Sequence, residues 1–266
     1  AASLQLGSPK IVDTYLTAGP VFSDAILYSP VACVNECRPV GMWRTDLLHD
    51  FRHERPPDVV ADAHAAGLKV VVVLPYAVER TPEASVASVQ LSWSSGKTLV
   101  ADVLALAHAR PDSCFILRGK NADWLALPAF AKEAHALRQQ ANVRVDVEYS
   151  EINRSYRLCS HADLVIARHT SLAEECLALD IPTILHDYAH NISAMFESSF
   201  PYLPSALWAH SREQLHAKTH LALEHDGAHF RSWWVPKRIE YFGSYCDGFV
   251  RARSRSIIED MASDSS

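Results

Sequence analysis

A cluster of small polar residues follows an apolar run in the segment HADLVIARHTSLAEECLALDIPTILHD, residues 161–187. His169, Thr170 and Ser171 stand between that run and a stretch with helical spacing. A helix that begins near Ser171 offers free backbone N–H groups and a dipole that favour an anion, and the hydroxyls add donors. The alternative is that Thr170 or Ser171 only caps the helix, with Glu174 closing a capping box. Capping and phosphate binding can coexist.

Glu175 lies in the second turn of the same predicted helix, where capping does not explain it. A carboxylate near a helix start can accept both hydroxyls of a ribose, as in dinucleotide-binding folds. The competing interpretation is that Glu174 and Glu175 are placed early in the helix only for a favourable interaction with its dipole. The segment therefore predicts a site for phosphate and ribose, with a structural role as the alternative.

Two cations flank a glycine at the end of another apolar run. Arg118 and Lys120 stand on either side of Gly119, directly after the predicted strand in SCFILRGK, residues 113–120. Cations at this position suit a diphosphate that gains charge as it departs. An ordinary polar loop between a strand and a helix is the alternative.

A third candidate loop is EYSEINRSY, residues 148–156. A nucleotide base could lie over it and form backbone hydrogen bonds with Glu151 or Ile152. The alternative is that Ser150 caps the following helix.

These loops lie between alternating strand and helix signals. LKVVVVLPY, residues 68–76, is a continuous apolar run rich in β-branched residues, which predicts a strand buried on both faces. Strands are predicted at 68–76, 113–120, 143–150, 163–167, 181–187 and 205–211, and helices at 97–109, 127–141, 152–162, 171–180 and 212–225. This alternation predicts an α/β fold with a doubly wound parallel sheet. In such sheets ligands bind beyond the carboxyl ends of the strands, where the candidate loops lie.

The flanks of this region are less regular. A strand, a Gly19-Pro20 break and a helix are predicted in residues 10–27, a strand followed by a turn in 34–51, and a short helix in 57–66. One further helix is predicted from about Tyr245 to Met261. We therefore expect three parts: a partial N-terminal α/β region (1–67), a Rossmann-like nucleotide-binding domain (68–225) and a C-terminal helical segment (226–266).

Composition and missing motifs exclude several classes of function. The chain of 266 residues has a net charge of −6, which argues against a nucleic-acid binder. No apolar run reaches the roughly 18 residues that span a bilayer. The sequence contains no HExxH metal pair, GxGxxG, GxxxxGK[ST] or GxSxG motif, so no metal site, P-loop or α/β-hydrolase elbow is expected. Six cysteines without a CxxC pair favour a reduced, cytoplasmic compartment.

The segment ADLVIARHTSLAEECLALDIPTILHD resembles the C-terminal nucleotide-binding domain of GT-B glycosyltransferases. The shared pattern is an apolar strand, a small polar turn, a Ser-x-x-x-Glu helix, then Gly-x-Pro and a strand; here Asp180 stands in place of the glycine. VGMWRTDLL (with Gly41, Arg44 and Asp46), FILRGKN and YFGSYCDGFVRARSRSII are similar to segments of bacterial surface-polysaccharide transferases. These include capsule and lipopolysaccharide enzymes and CDP-glycerol glycerophosphotransferase-like enzymes. The ordered segments cover most of residues 10–260.

The resemblance implies transfer of a sugar or related group from a nucleotide-activated or CMP/CDP-linked donor to a glycan or lipid-linked acceptor, with no metal cofactor. It implies that Thr170, Ser171 and Glu175, beside His169, hold the phosphates and ribose of the donor. Arg118 and Lys120 would stabilise the leaving phosphate. It also implies a cytoplasmic location, and contact with the inner face of the membrane stays open. The basic run RARSRS, residues 251–256, suits such contact or a solvated helix face.

Three questions stay open from the sequence. About 65 residues precede the predicted sheet, so we expect a C-terminal part of a longer protein or a reduced enzyme. A nucleotide-sugar 2-epimerase or hydrolase on the same fold, with His169 and His186 facing the sugar, is one alternative, and a non-catalytic nucleotide-binding module is another. The chain contains no convincing general base.

Overall fold

The structure is a computed structural model that describes residues 10–29, 32–75, 93–119, 121–168, 170–189, 192–193, 197, 200 and 202–264. Two predicted site residues, Lys120 and His169, lie outside the described residues, as does most of the predicted loop at 77–96. The strands are β1 (Lys10–Thr17), β2 (Ala32–Pro39), β3 (Lys69–Leu74), β4 (Ser113–Leu117), β5 (Val143–Val145), β6 (Leu164–Ala167), β7 (Thr183–His186), β8 (Tyr188–Ala189), β9 (Ile192–Ser193) and β10 (Trp208–Ala209). The α-helices are α1 (Pro20–Leu27), α2 (Thr45–Phe51), α3 (Asp58–Ala65), α4 (Trp93–Ala109), α5 (Ala131–Gln139), α6 (Arg154–Ser160), α7 (Ser171–Ala178), α8 (Arg212–Leu223), α9 (Ala228–Phe242) and α10 (Val250–Asp264).

A six-stranded sheet in the order β10-β7-β6-β3-β4-β5 forms the centre of the molecule. Its paired strands all run parallel. Helices α4, α5 and α8 contribute to the core on one face, and α3, α6, α7 and α9 contribute to the core on the other. The prediction of a doubly wound parallel sheet is confirmed. Because both faces are covered, the run Val70–Val73 is fully buried, as its composition predicts.

The order of the strands creates a crevice in the middle of the sheet. β3 pairs with β6, although β4, β5 and their helices intervene in the chain. α4 follows β3 on one face, whereas α7 follows β6 on the other. Since the two helices diverge, the carboxyl ends of β3 and β6 border a space between them, which is where open α/β sheets bind ligands.

The N-terminal strands form a small sheet of their own. β1 and β2 pair in parallel, with α1 between them in the chain, and neither is hydrogen-bonded to the six-stranded sheet. The start of α1 lies against the end of α9: a Cβ atom on Gly19 would stand 2.6 Å from the Cα of Phe242. An α/β unit therefore precedes the sheet, while the domain boundaries at 67 and 225 remain a prediction.

Several predicted elements differ from the structure at their ends. The predicted strand at 143–150 is β5, which stops at Val145, because the buried Asp146 carboxylate accepts the N–H of Glu148 and turns the chain away. α4 begins at Trp93 rather than at Lys97. The turn expected after Gly41 leads into an additional helix, α2.

None of the helices in the described part of the chain combines the length and the hydropathy of a membrane span.

The C-terminal segment holds two long helices where one was predicted. The predicted helix is observed as α10, but α9 was missed because Pro236 lies inside it, and proline is read as a helix breaker. α9 is anchored by Trp234, which is fully buried and donates its indole N–H to the carbonyl of Leu177 in α7 at 2.8 Å.

This anchor gives a stability prediction. Replacing Trp234 with Ala should lower the free energy of unfolding by about 3–5 kcal/mol, because it leaves a cavity in the core and removes the hydrogen bond to the carbonyl of Leu177. Urea titration followed by circular dichroism measures the change. Ile239 on the same helix is 54% exposed, so Ile239→Ala serves as the control and should cost less than about 1 kcal/mol. Equal effects of the two changes would show that α9 is not docked through Trp234.

Candidate functional site

A crevice of about 380 Å³ opens at the carboxyl ends of β3 and β6. Its walls come from the ends of three strands, the first turn of α7, one side of α6 and the residue before α2. The lining residues are Arg44, Leu74, Pro75, Arg118, Gly119, Ser155, Tyr156, Arg168, Thr170, Ser171 and Leu172. The structure thus brings Arg118, Thr170 and Ser171 together, as the sequence analysis expects.

Arg168 is the most deeply placed cation of the crevice. It directly follows β6 and is only 2% exposed. Burial lowers the pKa of its guanidinium to about 10, while the charge of the nearby Asp187 opposes that shift. The side chain is therefore still charged at neutral pH, and its charge is poorly hydrated. A poorly hydrated cation interacts strongly with an anion that enters the crevice.

Arg118 is held rigidly at the end of β4. Its Nη1 donates to the carbonyl of Glu148 at 2.7 Å and lies 3.5 Å from a carboxylate oxygen of Asp146. The guanidinium also stacks on the ring of Tyr149, with 4.1 Å from Cζ to the ring centroid. These contacts fix the orientation of the group before any ligand arrives.

Helix α7 presents its start to the crevice without a capping side chain. Thr170 is the N-cap residue, but its hydroxyl makes no capping hydrogen bond within the described part of the chain. The predicted capping box is wrong, because Thr170 is the N-cap residue, which puts Ala173 rather than Glu174 at the third position of the helix. The Glu174 carboxylate accepts the hydroxyl of Tyr202. The hydroxyls of Thr170 and Ser171 therefore line the crevice beside the positive end of the helix dipole.

Glu175 lies behind the wall of the crevice rather than on its surface. It is 4% exposed, and its carboxylate accepts the hydroxyl of Tyr156 at 2.8 Å. That hydroxyl in turn accepts a hydrogen bond from Nη1 of Arg44 at 3.1 Å. Burial raises the pKa of Glu175 to about 7, although the Tyr156 hydrogen bond and the charge of Arg44 oppose the shift. Tyr156 therefore separates Glu175 from the crevice, and the predicted ribose contact remains a prediction.

The third predicted loop lies beside the crevice. The Glu151 carboxylate pairs with Arg154 and Arg157, and Ile152 is 84% exposed. Neither residue is among those that line the crevice. The capping alternative is wrong, since Asn153 is the N-cap residue of α6 and Ser150 donates to Glu148. A base contact at Glu151 or Ile152 remains a prediction.

His186 does not face the crevice. It is fully buried on β7, where its Nε2 lies 2.9 Å from Asp102 and its ring stacks on Tyr188. This position gives no support to the expectation that His186 faces a sugar in the central crevice. Within the described residues, no group of three or more His, Cys, Asp or Glu side chains could hold a metal ion.

Arg44, Tyr156 and Arg168 are crevice residues that are not among the site residues predicted from the sequence. The position of Arg168 could have been recognised from the sequence, because it directly follows the apolar run of β6 and so stands at the carboxyl end of a strand. Arg44 belongs to the quoted Gly-x-x-Arg-x-Asp pattern, but its position depends on tertiary contacts.

The other two residues of that pattern hold the segment in place. Gly41 adopts a φ of 103°, and a Cβ there would stand 2.7 Å from Val250 Cγ2. Asp46 is buried and accepts the backbone N–H groups of Val250 and Arg251, at the start of α10, at 3.1 and 2.9 Å. The pattern therefore ties the segment around Arg44 to α10.

The chain has the same fold as solved GT-B enzymes. It superposes on the wall teichoic acid polymerase TagF with a TM-score of 0.57 at 13% sequence identity, over 96% of this chain and 59% of TagF. A UDP-N-acetylglucosamine 2-epimerase gives 0.58 at 12% identity, over 94% and 57%. MnaA of S. aureus, solved with UDP, gives 0.56 at 11% identity, over 94% and 60%.

Neither a protein-family model nor a curated protein sequence matches the chain. The chain spans about 60% of the length of the solved structures it matches. At these identities the similarity establishes the fold: a Rossmann-like α/β unit of the GT-B type.

The buried carboxyl of Glu175 predicts a pH dependence of stability. Its folded-state pKa of about 7 lies above the unfolded value of 4.5, so the native state binds more protons between these values. The free energy of unfolding should fall by about 2–3 kcal/mol as the pH rises through this window. In Glu175→Gln this component should be absent. Chemical denaturation between pH 4.5 and 8 measures both proteins.

Tyr156→Phe provides a second, signed test. It removes a hydrogen bond that lowers the pKa of Glu175, so the fall in stability should begin at the same pH and continue to a higher pH. Identical pH profiles for the original chain and Glu175→Gln would contradict this assignment.

Proposed function

We propose that the chain binds the nucleotide-activated donor of a group transferase that transfers a sugar or related group to a bacterial surface glycan. The observation that carries this proposal is the convergence of Arg44, Arg118 and Arg168 with the start of α7 on one crevice. Arginine guanidinium groups and helix N-termini are the groups that proteins use to bind phosphate.

The same groups suit the chemistry of the leaving group. When a nucleotide di- or monophosphate departs from the transferred group, negative charge develops on its terminal oxygen. Arg118 is oriented by Asp146 and Glu148, and Arg168 is held in the wall, so neither guanidinium has to reorganise as the charge appears. We assign the same role to Lys120, which follows Arg118 and Gly119 in the sequence.

The comparisons support a nucleotide ligand. TagF was solved with CDPG and MnaA with UDP, and both share the fold of this chain. We therefore expect a uridine or cytidine nucleotide whose phosphates lie at Thr170 and Ser171. Its ribose would interact with Glu175, either through Tyr156 or after the side chain of Tyr156 has moved. His169 and the loop at Glu151 and Ile152 complete the proposed donor site. The transfer itself and the glycan or lipid-linked acceptor are proposals for the whole protein.

A second candidate is a nucleotide-sugar 2-epimerase or hydrolase. It is favoured by the likeness to a UDP-N-acetylglucosamine 2-epimerase, since the same crevice would serve that enzyme. Incubation with a nucleotide sugar separates the two: epimerisation or sugar release without an acceptor supports the second candidate. Nucleotide binding without turnover by the full-length protein supports a non-catalytic module.

The basic run at 251–256 gives limited support to membrane contact. Arg251 pairs with Asp46 and Asp50, and Arg253 pairs with Asp247. These ion pairs satisfy two of the three arginines inside the protein, which favours the interpretation of a helix face packed on its neighbours. A cytoplasmic location at the inner face of the membrane remains part of the proposal.

The donor site is tested with a panel of UDP, GDP, CDP and CMP in thermal-shift and calorimetric titrations. At least one nucleotide should stabilise the chain. Arg44→Ala should weaken that binding about tenfold or more, because it removes a hydrogen-bonding cation from the anion. Arg44 has a 60% exposed side chain, so the change should leave the fold intact.

Arg138→Ala is the matched control, since Arg138 is exposed on α5 and does not line the crevice. It should leave the affinity unchanged. The proposal fails if no nucleotide of the panel binds, or if the two arginine variants lose the same amount of affinity.

A further inference from the structure

A second cavity, of about 600 Å³, opens at the carboxyl edge of the sheet between α4, α5 and the start of α8. We call it the lateral cleft. It is lined by Lys97, Thr98, Ala101, Asp102, Glu133, Tyr188, His210, Ser211, Arg212 and Glu213. None of these residues lines the crevice between β3 and β6, so the lateral cleft is a separate cavity in the described part of the chain.

One wall of the lateral cleft is fixed by a buried carboxylate. Asp102 is fully buried, and its Oδ1 accepts Nε of Arg212 at 2.7 Å. Its Oδ2 accepts the Tyr188 hydroxyl at 2.6 Å and Nε2 of His186 at 2.9 Å. A carboxylate with these donors orients Arg212, whose side chain is 50% exposed. The wall therefore presents a preorganised guanidinium whose terminal amino groups can donate to a ligand.

The opposite wall contains an ion pair, Lys97 with Glu133, whose groups can form further hydrogen bonds. Nζ of Lys97 lies 3.8 Å from Oε1 of Glu133, which is too long for a hydrogen bond. No donor of the described residues reaches Oε2 of Glu133, although that atom is shielded from solvent. A buried carboxylate oxygen without a donor is unfavourable. Because Glu133 lines the cleft, a ligand hydroxyl there can supply a donor to this carboxylate.

The charges of the lateral cleft are mixed, unlike those of the crevice. Lys97 and Arg212 are balanced by Glu133 and Glu213, with Asp102 beneath them. Such a lining disfavours phosphate, because the carboxylates repel it. Hydroxyl groups suit it, since each hydroxyl can donate to a carboxylate and accept from an ammonium or guanidinium group.

We propose that the lateral cleft binds a neutral polyhydroxylated ligand, a sugar or polyol unit, through Lys97, Glu133 and Arg212. This site goes beyond the proposed donor site and does not depend on it. If the protein is part of a transferase, the cleft would hold a glycan at the same edge of the sheet as the donor site.

The test uses two neutral probes, a hexose disaccharide and an N-acetylhexosamine disaccharide, with a hexose phosphate for comparison. Saturation-transfer NMR and backbone chemical-shift mapping on the whole chain measure binding. At least one neutral disaccharide should bind saturably at millimolar concentration, with shifts at Thr98 and Ser211, and the phosphate should bind no more tightly. Glu133→Ala and Lys97→Ala should each weaken binding about fivefold or more.

Lys132→Ala is the control on the same helix, since Lys132 is exposed and does not line the cleft. It should bind like the unmodified chain. The proposal is overturned if neither disaccharide binds, or if binding survives in the Lys97→Ala, Glu133→Ala double variant. Nucleotide binding is measured in the same samples, so a failure of nucleotide binding at the donor site is distinguished from a failure of sugar binding in the lateral cleft.

Discussion

β3 and β6 lie side by side at the centre of the sheet, but the helices that follow them, α4 and α7, pack on opposite faces. The carboxyl ends of the two strands therefore border a space that neither of the described helices α4 and α7 covers. Arg168 is placed at that point directly by β6 and stays charged although it is buried. The other parts of the candidate site are arranged around it: β4 ends at Arg118, α7 begins at Ser171, and the segment before α2 brings Arg44.

The sheet could be predicted from the sequence because each of its central strands is a short apolar run between helical patterns. Burial on both faces removes the need for polar alternation, so Val70–Val73 and Leu164–Ala167 are recognisable without an alignment. An element is not predicted where its local sequence disfavours the secondary structure that tertiary contacts stabilise. α9 contains Pro236, yet it is retained because Trp234 is anchored in the core.

The site was predictable where chain position alone determines geometry. Thr170, Ser171 and Arg118 follow strands of one parallel sheet, so they must meet at its carboxyl edge. Arg44 could not be placed, because its approach depends on the contacts of Gly41 and Asp46 with the segment around α10, far along the chain. Glu175 could be placed on α7, but periodicity does not reveal that the side chain of Tyr156 lies in front of it. The hydrogen bond from the Tyr202 hydroxyl to Glu174 is likewise a tertiary contact that periodicity does not reveal.

The central claim is that an anion binds where α7 begins, among the three arginines. Backbone chemical-shift mapping of the whole chain, titrated with UDP and with CDP, tests it most directly. If the anion binds there, saturable chemical-shift changes should be largest at the amides of Gly119, Ser171 and Leu172. Nucleotide binding that leaves these amides unmoved, or no binding by either nucleotide, would contradict it.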